Sequence, residues 1–231
     1  MEAIILAGGK AERLGAAAGG RPKALVEVAG RPLAAYQVGR LVRAGVGRVI
    51  FAVAAGTGPL FEQELAGLGA EIVATEEPER LGRGGGIRFA AQARRESGDV
   101  FALNGDELVA VDFGALLATH RTSGALATVT VARPRSRFAV VEIGPDDVIE
   151  GFTETGFDPY WVNCGNYVLS EAALARFPER GDHESTTFPE LAAEGTLRAY
   201  RHDGLWLTVN TPKELRVASE HVAAHPEWLA G

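Results

Sequence analysis

Apolar and polar positions along this chain fall into blocks of two lengths. Short apolar runs at 2–7, 48–53, 71–74 and 99–103 read as strands, and longer amphipathic stretches at 32–44, 60–67 and 84–96 read as helices. That βαβαβαβ rhythm predicts a parallel sheet with helices on both faces. The run Asp99-Val100-Phe101-Ala102-Leu103 is apolar nearly throughout, as a strand buried on both faces should be. A helix at about 112–122 and a strand at 125–132 follow. From 133 to 170, Gly, Pro and Asp turns separate strand-like segments at 138–143, 148–152 and 161–169. No linker precedes them, so they predict an antiparallel or mixed extension of the sheet. The tail predicts a helix near 186–194, strands near 197–201 and 205–209, and a helix from Pro212 to about Ala224. Thr211 is the N-cap of that last helix, with Pro212 at its first position and Glu214 three residues after the cap.

The expected fold class is therefore α/β: a Rossmann-like mixed, mostly parallel sheet with helices on both faces. A single domain over 1–231 is expected, with a first half of about 1–110 and a second of about 111–231. With 46% hydrophobic residues the chain can bury a full core. Its formal net charge of −7 argues against a nucleic-acid partner, because such domains are usually basic. Cations clustered near one turn are then better read as local anion ligands than as part of a basic face. The single cysteine, Cys164, excludes an intrachain disulfide and a Cys-rich metal site. No apolar run reaches the length of a membrane span, and the N-terminus lacks a signal-peptide pattern. A soluble cytoplasmic protein is expected, with no membrane partner.

Three segments carry candidate chemistry. The first strand runs through Leu6 and Ala7 into Gly8-Gly9, and Arg13 and Lys23 follow. Paired glycines let a ligand approach the backbone, and the carboxyl end of a strand in an open α/β sheet is where ligands bind. Phosphate is the natural partner of a glycine turn flanked by Arg and Lys. Neither the GxxxxGK[ST] loop nor the GxGxxG dinucleotide spacing occurs at this turn. The second segment is Leu103-Asn104-Gly105-Asp106-Glu107-Leu108, where Asp106 leaves a buried strand and can hold a hard cation against a phosphate. Alone, Gly105-Asp106 would be an ordinary turn capping a helix. Beside the glycine turn and its two cations, the metal reading is the stronger. The third is Gly82-Arg83-Gly84-Gly85-Gly86, whose N–H groups at a helix start can bind an anion or approach a flat base, though a flexible turn explains the glycines equally well. His221 and His225, four apart on a helix, could chelate zinc, but a solvated helix is the simpler reading with no third ligand near in sequence. Cys164 reads as a small core residue, Trp206 as packing, and Tyr160 and Trp161 as sugar-stacking residues or, equally, core or rim residues.

Taken together, these residues resemble the nucleotide-sugar pyrophosphorylases, the sugar-1-phosphate nucleotidylyltransferases. That family's LAGGxGxRLxP…PKPLxxVxGxP signature stands here as LAGGKAERLG…RPKALVEVAGRP. LGRGGGIRFA matches the family's GTAGAI segment, LNGDEL its metal-binding strand end, and IEGFTETG its GFxEKP segment. VNCGNYVLS resembles NAGxYVL and LWLTVNTPKEL the WxDxGTPxxL tail, so six segments match in order over essentially the whole chain.

The resemblance implies the nucleotide-diphospho-sugar transferase type of fold and the reaction NTP + sugar 1-phosphate → NDP-sugar + pyrophosphate. Leu6, Ala7, Gly8, Gly9, Gly82, Arg83 and Gly105 would line the nucleotide, with Ala7 near the ribose or base and Gly82 against the base. Arg13 would hold the β- and γ-phosphates, Lys23 the α-phosphate and the sugar phosphate, and Asp106 the Mg2+ cofactor. Glu154 would accept hydrogen bonds from sugar hydroxyls, and Asn163 and Gly165 would line the sugar pocket. The nucleophile is already an anion, so positioning and charge stabilisation suffice and no general base is needed. Four departures stand out: Ala11 replaces the third loop glycine, Arg83 a threonine, Thr155 the EKP lysine, and Thr208 the tail aspartate, with Asn210 in place of the glycine after it. Asp203 and Glu154 are the substitutes the sequence offers for the tail carboxylate. Two other expectations stay open: a nucleotide or nucleotide-sugar binding paralogue with impaired turnover, and a sister transferase such as a molybdopterin guanylyltransferase or a cytidylyltransferase. The substrates would be the NTP and the sugar 1-phosphate, and a homo-oligomer is compatible with this reading.

Overall fold

The computed structural model describes residues 1–228 apart from Arg137 and Thr155. In chain order the elements are β1 (Glu2–Leu6), β2 (Glu27–Val28), β3 (Arg31–Pro32), α1 (Leu33–Arg43), β4 (Arg48–Ala54), α2 (Gly58–Glu64), β5 (Glu71–Glu77), α3 (Gly82–Ala91), β6 (Val100–Asn104) and β7 (Glu107–Val109). They continue with α4 (Phe113–Ser123), β8 (Ala127–Ala132), β9 (Val140–Ile143), β10 (Ile149–Thr153), β11 (Val162–Leu169), α5 (Glu171–Arg176), α6 (Thr187–Ala193), β12 (Leu197–Arg201), β13 (Trp206–Thr208) and α7 (Pro212–Ala224). Among the described residues, seven strands form one sheet in the order β12-β8-β11-β6-β1-β4-β5. Within it β11 alone runs antiparallel to its neighbours, β6 and β8, while the other pairings are parallel.

The near-continuous apolar runs follow from burial on both faces. Ala3, Ile5, Phe51, Phe101 and Leu103 face a layer that includes α1, α2 and α4 residues. The alternate positions Ile4, Ile50, Ala52, Val100 and Ala102 pack with Ile87 of α3 and with α5 and α6. A third cluster joins the β2–β3 hairpin, Leu33, Leu108, Val209 and the α7 residues Ala218 and Val222. Thr211 caps α7 in a full capping box with Glu214, as the sequence predicts.

Two expectations change. The helix predicted to reach residue 96 ends at Ala91, because the backbone N–H groups of Arg95 and Glu96 turn to donate to the buried Glu2 carboxylate. The segments at 138–143 and 148–152 do not extend the main sheet. They form a separate two-stranded ribbon, β9–β10, because β11 and β12 already occupy both edges of β8. The short helix α5, which the sequence reading omits, starts at a Ser170 cap whose side chain accepts from the Ala173 N–H.

His183 lies fully buried against Phe177, Phe188 and Tyr167, and neither ring nitrogen has a hydrogen-bond partner. Burial pushes its pKa down from 6.5 to about 4. The folded state therefore keeps the ring neutral where the unfolded chain takes up a proton. The linked stability is fully present above pH 6.5 and is lost as pH falls toward 4, by up to about 3 kcal/mol. Replacing the ring by His183→Phe should shrink the drop in Tm between pH 7 and pH 5; an unchanged drop would show that another group dominates acid sensitivity. The β2–β3 turn makes a second expectation. Ala29 (φ +48) and Gly30 (φ +81) both sit in the left-handed region, where an alanine costs roughly 1–2 kcal/mol. Ala29→Gly should raise stability by about 1 kcal/mol in chemical denaturation, and a lower stability would refute the strain.

Candidate active site

A cleft of about 710 Å³ opens at the carboxyl ends of β1 and β6. Leu6, Ala7, Gly8, Gly9, Lys23, Gly82, Arg83, Gly105 and Asp106 all line it, so most of the residues singled out from the sequence converge. Arg13, Asn163, Gly165 and Glu154 lie elsewhere, and each is placed below.

The loop after β1 does not need a third glycine. Ala11 sits at φ −81, and the chain then winds through a 3-10 segment, Glu12–Ala18, kinked at Gly15. This carries Arg13 over the tail, where its guanidinium donates to the Asn210 side-chain oxygen at 2.9 Å. Lys23, in the next 3-10 turn, donates to the same oxygen and to Asp106 Oδ2 at 2.6 Å. The Asn210 amide thus meets both cations, and the Asp106 carboxylate meets Lys23.

Backbone contacts hold Asp106 in place. The Gly105 N–H donates to the Leu6 carbonyl at 2.9 Å, and a Cβ at Gly105 would stand 2.4 Å from that oxygen. Only glycine allows β1 and the turn after β6 to approach this closely. The buried Gln37 amide donates to the carbonyls of Asn104 (2.7 Å) and Glu107 (2.9 Å). The Val209 N–H donates to the Asp106 carbonyl, tying the tail to the turn.

Beside Asp106 stands Glu107, whose side chain accepts from the Trp206 indole at 2.9 Å and from the Asn104 amide at 3.4 Å. Burial, and then the neighbouring Asp106 charge, push its carboxyl up to about 7. Thr208 pairs with Glu107 in the β7–β13 ladder.

The glycine run at α3 is spent on packing. The N–H groups of Gly84 and Gly85 donate to the Gly181 carbonyl, and Cβ atoms at Gly82, Gly84 and Gly85 would collide with the 178–183 loop at under 3 Å. Arg83 is held by carboxylates: its guanidinium donates to Asp182 and Glu184 at 2.5–2.9 Å. Its charge is neutralised at the cleft edge instead of standing free for an anion.

On the other side, β11 is irregular between Asn163 and Tyr167. Gly165 takes φ +65, and a Cβ there would lie 2.4 Å from the Asn104 amide nitrogen. Asn163 donates to Glu184 Oε1 at 2.8 Å and to the Tyr167 hydroxyl at 2.7 Å, so Glu184 links Asn163 to Arg83. Glu154 is exposed in the turn after β10, and Thr155 lies outside the described residues.

Sequence reasoning overlooked Gln37, Asn104, Glu107, Asp182, Glu184 and the site role of Asn210. Asn104 and Glu107 flank the motif that was read, and Asn210 marks a departure from the tail pattern. Gln37, Asp182 and Glu184 carry no local signal. Burial pushes the Cys164 thiol up to about 12, in keeping with a core residue. His221 and His225 stack at 4.0 Å, and among the described residues no group of three His, Cys, Asp or Glu side chains could hold a metal. No helix of the described chain is long and apolar enough to cross a membrane.

Residues 2–225 match the family model described as nucleotidyl transferase. The catalytic subunit beta of mannose-1-phosphate guanylyltransferase from Xenopus tropicalis is 32% identical, over 99% of this chain and 68% of its own length. The mannose-1-phosphate guanylyltransferase of Mycobacterium tuberculosis is 31% identical, over 93% of this chain and 62% of its own. The chain thus spans about two thirds of the length of these relatives. Among solved structures, HddC from Yersinia pseudotuberculosis superposes with a TM-score of 0.74, and its complex with GMP-PN with 0.72; both are 21% identical and cover 95% of this chain and 98% of theirs. That likeness bears out the fold, the mixed and mostly parallel sheet of the nucleotide-diphospho-sugar transferases. The chain belongs to the nucleotidyl transferase family, within its nucleotide-sugar pyrophosphorylases.

Proposed function

We propose that this chain joins a nucleoside triphosphate to a sugar 1-phosphate, releasing pyrophosphate. The observation that carries this reading is the Arg13–Asn210–Lys23–Asp106 cluster, of which Lys23 and Asp106 line a cleft at the ends of two parallel strands. A 1-phosphate oxygen attacks the α-phosphorus, the α–β P–O bond breaks, and its electron pair leaves on pyrophosphate. Lys23 serves to stabilise the charge that builds at the α-phosphorus. Arg13 serves the leaving phosphates, and Gly8 and Gly9 let them lie against the backbone. On the sugar side, Asn163, Gly165 and Glu154 are the candidate contacts. Residues 1–231 act as one unit in this reading, and the single sheet shared by both halves supports it.

A divalent cation, with Mg2+ as the proposed ion, fits the donor chemistry. Asp106 Oδ2 and Asn210 Oδ1 already converge on one positive charge, the Lys23 ammonium, and hard oxygen donors suit a small ion that keeps phosphate and water ligands. Asp106 and Asn210 would hold it, and it would supply charge neutralisation between the two phosphates. Asn210, instead of Asp203 or Glu154, is then the tail's substitute for the missing carboxylate. GTP is the first nucleotide to try, because the relatives named above are guanylyltransferases. A cytoplasmic setting accompanies this reading.

Pyrophosphate release from purified protein, Mg2+, each of four NTPs and a panel of sugar 1-phosphates tests the proposal; saturable nucleotide binding with no turnover on any pair would defeat it. Lys23→Ala should lower kcat by about 10²–10³, as expected for loss of one group stabilising transition-state charge, with Tm nearly unchanged. Asn210→Ala should leave the fold intact and weaken binding of both NTP and Mg2+, measured by calorimetry. Wild-type Mg2+ affinity in that variant would remove Asn210 from the ion site.

A further inference from the structure

To one side of the Lys23 cluster, along the same end of the sheet, three arginines alternate with two aromatic rings. Arg135 stacks on Phe157 (5.5 Å from its centroid), Arg133 on both Phe157 (5.6 Å) and Trp161 (5.5 Å), and Arg201 on Trp161 (5.3 Å). The backbone fixes the stack: Arg135 bridges Phe157, and the Ser136 and Asp158 N–H groups donate to the Gly156 and Pro134 carbonyls at 2.9 Å. Phe157 is 49% and Trp161 38% exposed, so the ladder faces solvent.

Its charge sets it apart. Most arginines of this acidic protein reach a carboxylate or a backbone carbonyl, Arg83, Arg88, Arg121 and Arg176 among them. Among the described residues, Arg133, Arg135 and Arg201 form no ion pair with any carboxylate. The nearby Asp158 accepts instead from the Tyr160 hydroxyl. Three guanidiniums held together without counter-charge repel one another. Aromatic stacking offsets part of that cost and leaves their N–H edges free. Such an array is built for an oxyanion, since guanidinium edges match carboxylate and phosphate geometry.

Position tells which oxyanion. Arg133 follows the carboxyl end of β8, and Arg201 ends β12. β8 runs in the same direction as β6, since β11 is antiparallel to both. Asp106 follows β6, two strands from β8 and three from β12. At about 4.8 Å per strand, the ladder stands roughly 10–14 Å to the side of Asp106. A 1-phosphate that attacks beside Lys23 and Asp106 cannot also sit on the ladder. The distal end of the sugar it carries can.

We propose that Arg133, Arg135 and Arg201 form an anion subsite for a sugar 1-phosphate bearing a second acidic group, a carboxylate or a further phosphate, at its far end. This rests on the nucleotidyltransferase reading above and narrows its substrate class to acidic sugars.

Binding measured by calorimetry and by intrinsic tryptophan fluorescence tests it with three probes: glucose 1-phosphate, glucose 1,6-bisphosphate and glucuronic acid 1-phosphate. At least one acidic probe should bind about tenfold or more tightly than glucose 1-phosphate, as one charge-assisted contact provides. The two acidic probes show whether phosphate or carboxylate is preferred. The Arg133→Gln/Arg201→Gln double variant should erase the difference while NTP affinity and glucose 1-phosphate affinity stay at wild-type values. Arg133→Lys/Arg201→Lys, which keeps the charge, should retain part of it. Equal affinities for all three probes in the wild type would overturn the proposal. So would a double variant that loses glucose 1-phosphate equally, because the ladder would then read the 1-phosphate. Pyrophosphate release with all three probes and each of the four NTPs, followed in parallel, separates the two levels: turnover without acidic preference sinks the subsite alone, and no turnover with these probes or with any pair of the wider panel sinks the reaction.

Discussion

The approach of Gly105 to the Leu6 carbonyl is the constraint on which the rest of the site depends. Two parallel strands lie side by side, and the chain leaving β6 must pass over the end of β1 at hydrogen-bond distance. Any side chain at Gly105 would meet the Leu6 oxygen. With that contact made, Asp106 projects toward the loop that follows β1, and the Lys23 ammonium falls against it. Gln37 and the Val209 N–H then hold the same turn from two further directions. Few degrees of freedom remain for the carboxylate, which is what pre-organised charge requires.

The tail closes the arrangement from the other side. The α7 capping box fixes where the helix begins, and the Glu214 carboxylate also accepts from the Asn210 N–H. The cap thus orients Asn210, whose amide oxygen is shared by Arg13 and Lys23. A helix start, normally a matter of local stability, here sets the position of a polar group between the Arg13 and Lys23 cations. This offers a physical reason for the chain to tolerate Thr208 at a strand position paired with Glu107: the polar contact to the cations comes from two residues further on.

The sheet also divides the chemistry. The strands β5-β4-β1-β6 carry the glycine turn and Asp106, while β11, β8 and β12 carry Asn163, Arg133 and Arg201. Because β11 enters antiparallel, its start rather than its end lies at the functional edge, and that brings Trp161 and Asn163 there. Glu184 joins the two halves by accepting from both Arg83 and Asn163.

Much of this was legible in the sequence. Alternation and length placed most strands and helices, because a strand buried on both faces has to be apolar at every position and its neighbouring helices at every third or fourth. The glycine turn, Lys23 and Asp106 were legible because each is a local motif with a local physical reason. The ribbon β9–β10 was misplaced because alternation predicts a strand but not its partner. The α3 glycines looked equally like an anion cradle and a flexible turn, and neither reading foresaw that they let the 178–183 loop dock, a contact nearly a hundred residues away in the chain. Gln37, Glu184, Asn210 and the arginine ladder escaped for the same reason: their meaning lies in partners distant in sequence. The sequence by itself determined most of the elements, the fold class and the glycine turn with Lys23 and Asp106, since local sterics and hydrophobic burial dictate these. Tertiary structure alone decided which charges are paired and which stand free, because that depends on distances between residues that only the folded sheet brings together.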